Sequence, residues 1–170
     1  SMDINNFELL KYMAAYKKPI ILSTGMATLG EIERAIKTIE DEGNDQIVLL
    51  HCISIYPPKY KDINLNNIQM LQKAFVYPIG FSDHSIGTSI PLASIALGSC
   101  IIEKHFTLDK NLPGPDHKAS LEPAELESMV SAIRNIEVAL GDGVKRLMPG
   151  EIENKTIARK SIVAGCFIKK

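Results

Sequence analysis

Short apolar runs alternate with amphipathic stretches along this chain. Pro19-Ile20-Ile21-Leu22-Ser23, Gln46 to Cys52, Pro78 to Phe81 and Cys100 to Lys104 have the length and apolar content of buried parallel strands. Between them the spacing of apolar residues becomes helical. Phe7, Leu10 and Met13 give a partial stripe over Asn5 to Tyr16, and Ile32, Ala35, Ile36 and Ile39 give a fuller one. Thr28-Leu29-Gly30-Glu31 is a capping box that starts this second helix, and Gly43 is its natural stop. Shorter helices are expected over Asn67 to Phe75 and near Pro91 to Leu97. A long one runs from Pro123 to Leu140, with Leu126, Met129, Val130, Ile133 and Leu140 inward and Gly141 closing it. Glu151 to Arg159 is polar and helix-like, and Lys160-Ser161-Ile162-Val163-Ala164 reads as the start of a further strand.

Strand–helix units in series predict a parallel sheet with right-handed crossovers. An open doubly wound sheet and a segment of a (β/α)8 barrel both fit. The polar residues separate them. Every predicted strand ends in chemistry: Ser23-Thr24, His51 to Ser54, Ser82 to His84, and Lys104-His105. An open sheet gathers its ligand at one switch point, whereas a barrel brings all its strand ends around one site. The expected fold is therefore α/β, a partial (β/α)8 TIM barrel of four units. Ile21, Leu49 and Ile102 are expected on the barrel interior, only partly covered in half a barrel.

Hydrophobic residues make up 45% and charged residues 23%, which is the composition of a folded globular domain. A net charge of −1 gives no electrostatic footprint for nucleic acid or an anionic membrane. No apolar run approaches the ~20 residues that span a bilayer, and no basic-then-apolar leader opens the sequence. Cys52, Cys100 and Cys166 are odd in number and lie in apolar runs, so they are expected as buried thiols of a reducing compartment, the cytoplasm.

Two of the runs end on a histidine: Ile79 to His84 and Ile101 to His105. Imidazoles at the carboxyl ends of successive parallel strands can share a divalent ion, and Mn2+, Fe2+, Co2+ and Zn2+ suit such donors alike. The alternative is a structural pair in which Asp83 orients His84. Ser82, and Ser23 with Thr24-Gly25, offer hydroxyls and N–H groups before helices, suited to phosphate or carboxylate or simply to capping. Lys104 points away from His105 and is expected at the surface or between helices. Gly114-Pro115-Asp116-His117 can bring a carboxylate to a hydroxylated substrate, or form a plain Gly-Pro turn. Tyr56-Pro57-Pro58 stiffens a loop around an aromatic ring, and His51 reads as a satisfied interior histidine.

Lys18 to Met26, His51 to Pro57, Gly80 to Ser85, Glu103 to Thr107 and Gly114 to Asp116 occur in the order and spacing of the sialic acid synthase family, which the whole chain resembles. The family comprises N-acetylneuraminate, legionaminate and pseudaminate synthases and related spore-coat polysaccharide proteins. The resemblance implies that residues 1–150 are the carboxyl-terminal half, the last four units, of a synthase barrel. It makes 151–170 a linker and first strand of a truncated antifreeze-like domain, and the full-length protein a homodimer. The implied reaction condenses phosphoenolpyruvate with an N-acylated mannosamine-type sugar to a nine-carbon 2-keto acid and phosphate. His84 and His105 match the metal ligands, and with Asp116 the catalytic set. Mn2+ is the first choice of ion, with Mg2+ or Co2+ as alternatives. Ser1, Ser23 and Ser82 match serines that hold phosphoenolpyruvate, and Ser1 with Asp3 matches a Ser-x-acid motif. Tyr56 and Asp116 match the sugar side. Ser54 stands where neuraminate-type members often have asparagine, which points to a relative using a different sugar. The alternative of another class is a non-catalytic half-barrel that acts as a fold or interaction unit. An aldolase-like barrel making a shorter keto sugar acid is a third reading, against which the Ser-Thr-Gly-Met and His-Cys-x-Ser-x-Tyr-Pro runs count.

Overall fold

Strands and helices alternate as the apolar spacing predicts. The computed structural model describes residues 1–169, which fall into two units, Ser1–Leu140 and the residues from Gly141 onward. In the first unit α1 (Phe7–Ala14), β1 (Ile20–Ser23), α2 (Leu29–Asp41) and β2 (Ile47–Cys52) follow one another. A single helical turn α3 (Tyr60–Ile63), absent from the sequence expectation, precedes α4 (Asn66–Ala74). Then come β3 (Ile79–Asp83), α5 (Ser89–Ala96), β4 (Ile102–Lys104) and α6 (Pro123–Leu140). The α2 start forms as its sequence dictates: Thr28 accepts from the Glu31 N–H while the Glu31 carboxylate accepts from the Thr28 N–H at 2.7 Å.

The four strands are parallel and lie in the order β1-β2-β3-β4, without the reversal that marks a doubly wound sheet. One face carries the core. Ile20 and Leu22, Ile47 and Leu49, Ile79 and Phe81 pack with Leu10, Ile32, Ile36, Ile39, Ile68 and Leu71 from the helices. The opposite face, the inside of the half-barrel, carries Ile21, Leu50, Gly80, Ser82 and Glu103. Ile21 is 54% exposed there. Leu49 and Ile102, expected beside it, instead face the helices, and Leu49 is fully buried. Register sets this parity: Leu49 pairs with Leu22 and Ile79, and Ile102 pairs with Phe81. Gly80 lets the interior close, because a Cβ there would lie 2.5 Å from a Leu50 methyl and 2.7 Å from the Ile101 carbonyl.

Along α6, Met129 and Ile133 are buried and Leu126 packs beside them, but Val130 and Leu140 are exposed. Among its described residues the second unit has one α-helix, α7 (Ile152–Ala158), preceded by a 3-10 turn over Pro149–Glu151, and neither buries a side chain. The strand expected over 160–164 does not form; these residues are exposed and have no strand to pair with among the described residues. Of the cysteines only Cys52 is buried; Cys100 precedes β4 and Cys166 lies beyond α7, both exposed. No helix among the described residues is long and apolar enough to cross a membrane.

Candidate functional site

The carboxyl ends of all four strands open on one cleft of about 500 Å³. Ser23 closes β1, Cys52 closes β2, Ser82 and Glu103 stand on β3 and β4, and Ser54 and Tyr56 lie in the loop after β2. His84 and His105 each follow their strand by one residue. Ser1 enters from the amino-terminal segment and completes the lining.

Hydroxyls crowd one wall. Ser1 Oγ lies 2.8 Å from Ser23 Oγ and donates to Cys52 Sγ at 3.6 Å, and Cys52 Sγ lies 3.9 Å from Ser54 Oγ. Gly25 backs this group, and a Cβ there would strike Ser54 Oγ and come within 2.7 Å of Ser1 Oγ. Burial pushes the Cys52 thiol up, but hydrogen bonding with His84, Ser23, Ser1 and Ser82 outweighs it and brings the thiol down to about 6.

Three rings form the other wall. The imidazoles of His84 and His105 meet edge to face at 5.2 Å between centroids, and the Tyr56 ring stands 4.1 Å from His84 and 5.7 Å from His105. His84 is buried, and its Nδ1 has no hydrogen-bond partner. Burial, then the charges of Cys52, Asp116 and Glu103, push the Tyr56 hydroxyl up. Behind the rings a narrow crevice is lined by Pro115, Asp116 and Ala119, where Asp116 Oδ2 lies 4.0 Å from His105 Nδ1.

The fold therefore brings together Ser1, Ser23, Ser54, Tyr56, Ser82, His84 and His105, and places Asp116 next to them behind the ring wall. Asp3 is exposed and does not line the cleft. Glu103, not singled out in the sequence, faces the cleft and accepts a 2.6 Å hydrogen bond from Ser82. Its signal was parity: two residues before His105 on a strand, it shares that residue's face. Lys104 points away from His105 as expected, but it is buried on the helix-facing side of the sheet, not at the surface. It forms a buried ion pair with Asp83, whose carboxylate bonds the Lys104 amine and the Ser85 N–H and, among the described residues, not the His84 ring itself. His51 is the satisfied interior histidine expected, its Nε2 2.7 Å from the Ile63 carbonyl, and burial lowers its basicity.

Sequential parallel strands with one cleft at their carboxyl ends define half of a (β/α)8 barrel. The chain belongs to the NeuB family, which it matches over residues 1–145. It is 51% identical to an N,N'-diacetyllegionaminic acid synthase and 41% identical to a pseudaminic acid synthase, both of Campylobacter jejuni subsp. jejuni serotype O:2. Each match takes in 100% of this chain, but only 52% and 49% of those proteins. The chain thus spans about half the length of the curated relatives it matches. The crystal structure of an N-acetylneuraminic acid synthetase from Leptospira borgpetersenii, in complex with citrate, superposes with a TM-score of 0.82 at 40% identity, over 94% of this chain and 57% of that one.

Proposed function

We propose that this chain carries the phosphoenolpyruvate and metal side of a nonulosonic acid synthase site. The observation that supports this best is the pair of imidazoles 5.2 Å apart at the rim of a serine-lined cleft, one of them holding a buried ring nitrogen without a partner. Such a nitrogen costs about 1–3 kcal/mol when left unsatisfied, and a cation would satisfy it. Among the described residues no group of three or more His, Cys, Asp or Glu side chains gathers as a metal site. Two histidines suit an open ion that keeps positions for substrate or water, not a closed structural one. Mn2+ is the ion we favour.

The reaction joins C3 of phosphoenolpyruvate to C1 of an N-acylated mannosamine-type sugar. Water adds at C2, and cleavage of the C–O bond releases phosphate and leaves a nine-carbon 2-keto acid. A bound divalent ion supplies Lewis acidity toward the sugar's carbonyl oxygen. His84 and His105 would hold it. Ser1, Ser23, Ser54 and Ser82 line the wall on which phosphate and carboxylate oxygens would be fixed, so that positioning supplies much of the rate. Tyr56 and Asp116 lie toward the sugar. The same reading makes the working protein a complete barrel and a homodimer.

Mixing this chain with a separately produced amino-terminal half of the barrel tests the proposal. Phosphoenolpyruvate, acyl sugar and Mn2+ should then yield keto acid and phosphate in equal amounts, and the His84→Ala chain should yield neither. A refolded complex that binds its complementing half but turns over no acyl sugar would favour the non-catalytic reading.

A further inference from the structure

The residues that precede the two histidines form a buried ion pair. Asp83 pairs in register with Lys104 across β3 and β4, and Lys104 Nζ lies 2.6 Å from Asp83 Oδ2. Their side chains are 1% and 3% exposed. They alternate with Ser82 and Glu103, so they sit on the helix-facing side of the sheet, behind the cleft. The amine also donates to the Ser85 carbonyl at 2.5 Å, and Asp83 Oδ1 accepts from the Ser85 N–H at 2.9 Å. One ammonium group therefore grips the residues on both sides of His84, and it comes from the residue next to His105.

A buried pair of this kind is a poor source of stability, because removing two charges from water offsets most of their attraction, and apolar residues of similar volume fill such space as well. An apolar pair would not hold the Ser85 carbonyl or couple the main chain at His84 to that at His105. We infer that Asp83 and Lys104 are positioning residues that set the separation and orientation of the two imidazoles, and so the affinity of the site for a divalent ion. The inference rests on the metal reading proposed above.

The test uses a complete-barrel protein containing this chain, with Co2+ as the probe. Binding is read by titration and by the ion's visible absorption. Asp83→Leu combined with Lys104→Met removes both charges while keeping the volume. This double variant should fold and melt close to the unmodified protein, yet bind Co2+ ten- to a hundredfold more weakly, the range seen when groups supporting metal ligands are removed. Its cobalt spectrum should change. Asp83→Asn is the second variant, for use if the double variant does not fold, and should weaken binding in the same direction. Unchanged affinity and spectrum in a folded variant would overturn the inference, since a purely structural pair predicts that outcome. Loss of binding on His84→Ala in the parent protein supports the metal reading itself. Absence of any His84-dependent cobalt binding would overturn that reading and this inference with it.

Discussion

Ser82 on β3 donates its hydroxyl proton to Glu103 on β4 at 2.6 Å, inside the cleft. Fixing a phosphate oxygen on Ser82 requires that proton to be redirected away from Glu103, and the carboxylate itself repels an anion. Glu103→Gln removes the charge and leaves only a neutral amide oxygen to compete for the Ser82 proton, so phosphoenolpyruvate should bind several-fold more tightly to a complete-barrel protein carrying this substitution. Equilibrium binding of phosphoenolpyruvate without sugar reads the effect, and unchanged or weaker binding would show that the Glu103 charge does not oppose an anion in the cleft.

Asp116 and Ser82 stand on different sides of the ring wall, and their losses should differ. Asp116→Ala should raise the KM for acyl sugar by tenfold or more, with little effect on phosphoenolpyruvate, because sugar hydroxyls would lose their acceptor. Ser82→Ala should do the reverse. Steady-state kinetics with each substrate varied in turn decides it, and equal losses for both substrates would dissolve the division of roles.

Cys52 is held as a thiolate to unusually low pH. Its ordinary value of 9.0 falls to about 6 in the fold. The thiolate's contribution to stability is therefore complete above pH 9 and is lost as the pH falls toward 6. Carbamidomethylation mapped by mass spectrometry should label Cys52 with a midpoint near pH 6, and Cys100, whose thiol partial desolvation shifts upward although the residue is exposed, only in alkali. A Cys52 midpoint above 8 would contradict the hydrogen-bonded environment described.

The Thr28 cap is a local device with a local cost. Thr28→Ala should destabilise the protein by about 1 kcal/mol, read as the shift of a denaturant midpoint at constant slope. Hydrogen bonds from Thr28 hold the Glu31 carboxyl below its usual range, so this support is present at neutral pH and fades as the carboxyl protonates. The gap between the midpoints of variant and parent should narrow in acid without closing, because the Glu31 N–H bond to Thr28 Oγ1 does not titrate.

Ile21 is exposed on the inner face of the half-barrel, and β1 and β4 each have one edge unpaired among the described residues. The chain by itself should associate at micromolar concentration, visible by sedimentation, and a Lys at position 21 should shift it toward monomer. A stable monomer at high concentration would show that the inner face tolerates water.

How much of this could be read in advance depended on how local the cause was. Thr28 and Glu31 are three residues apart, and their box was plain in the sequence. Strand ends carrying Ser82, His84 and His105 were equally plain, because the apolar runs stop there. Whether Leu49 faces helix or barrel depends on its pairing with Leu22 and Ile79, contacts made tens of residues away. The burial of Lys104 depends on Asp83, 21 residues earlier, and no short window shows that partner. Glu103 was hidden by its neighbours: in Glu103-Lys104-His105 the histidine drew the eye, while the strand's alternation already placed the glutamate beside it.

The uninterrupted order β1-β2-β3-β4 has a consequence for how this architecture can be divided and inherited. The hydroxyls and rings described on the two walls come from one contiguous stretch, Ser1 to His105. The half-barrel is thus a cassette with two seams, the outer edges of β1 and β4. A complement that offers two matching strand edges can be exchanged at those seams without touching a histidine. Exchange at those seams would leave His84 and His105 in register with each other, since β3 pairs directly with β4.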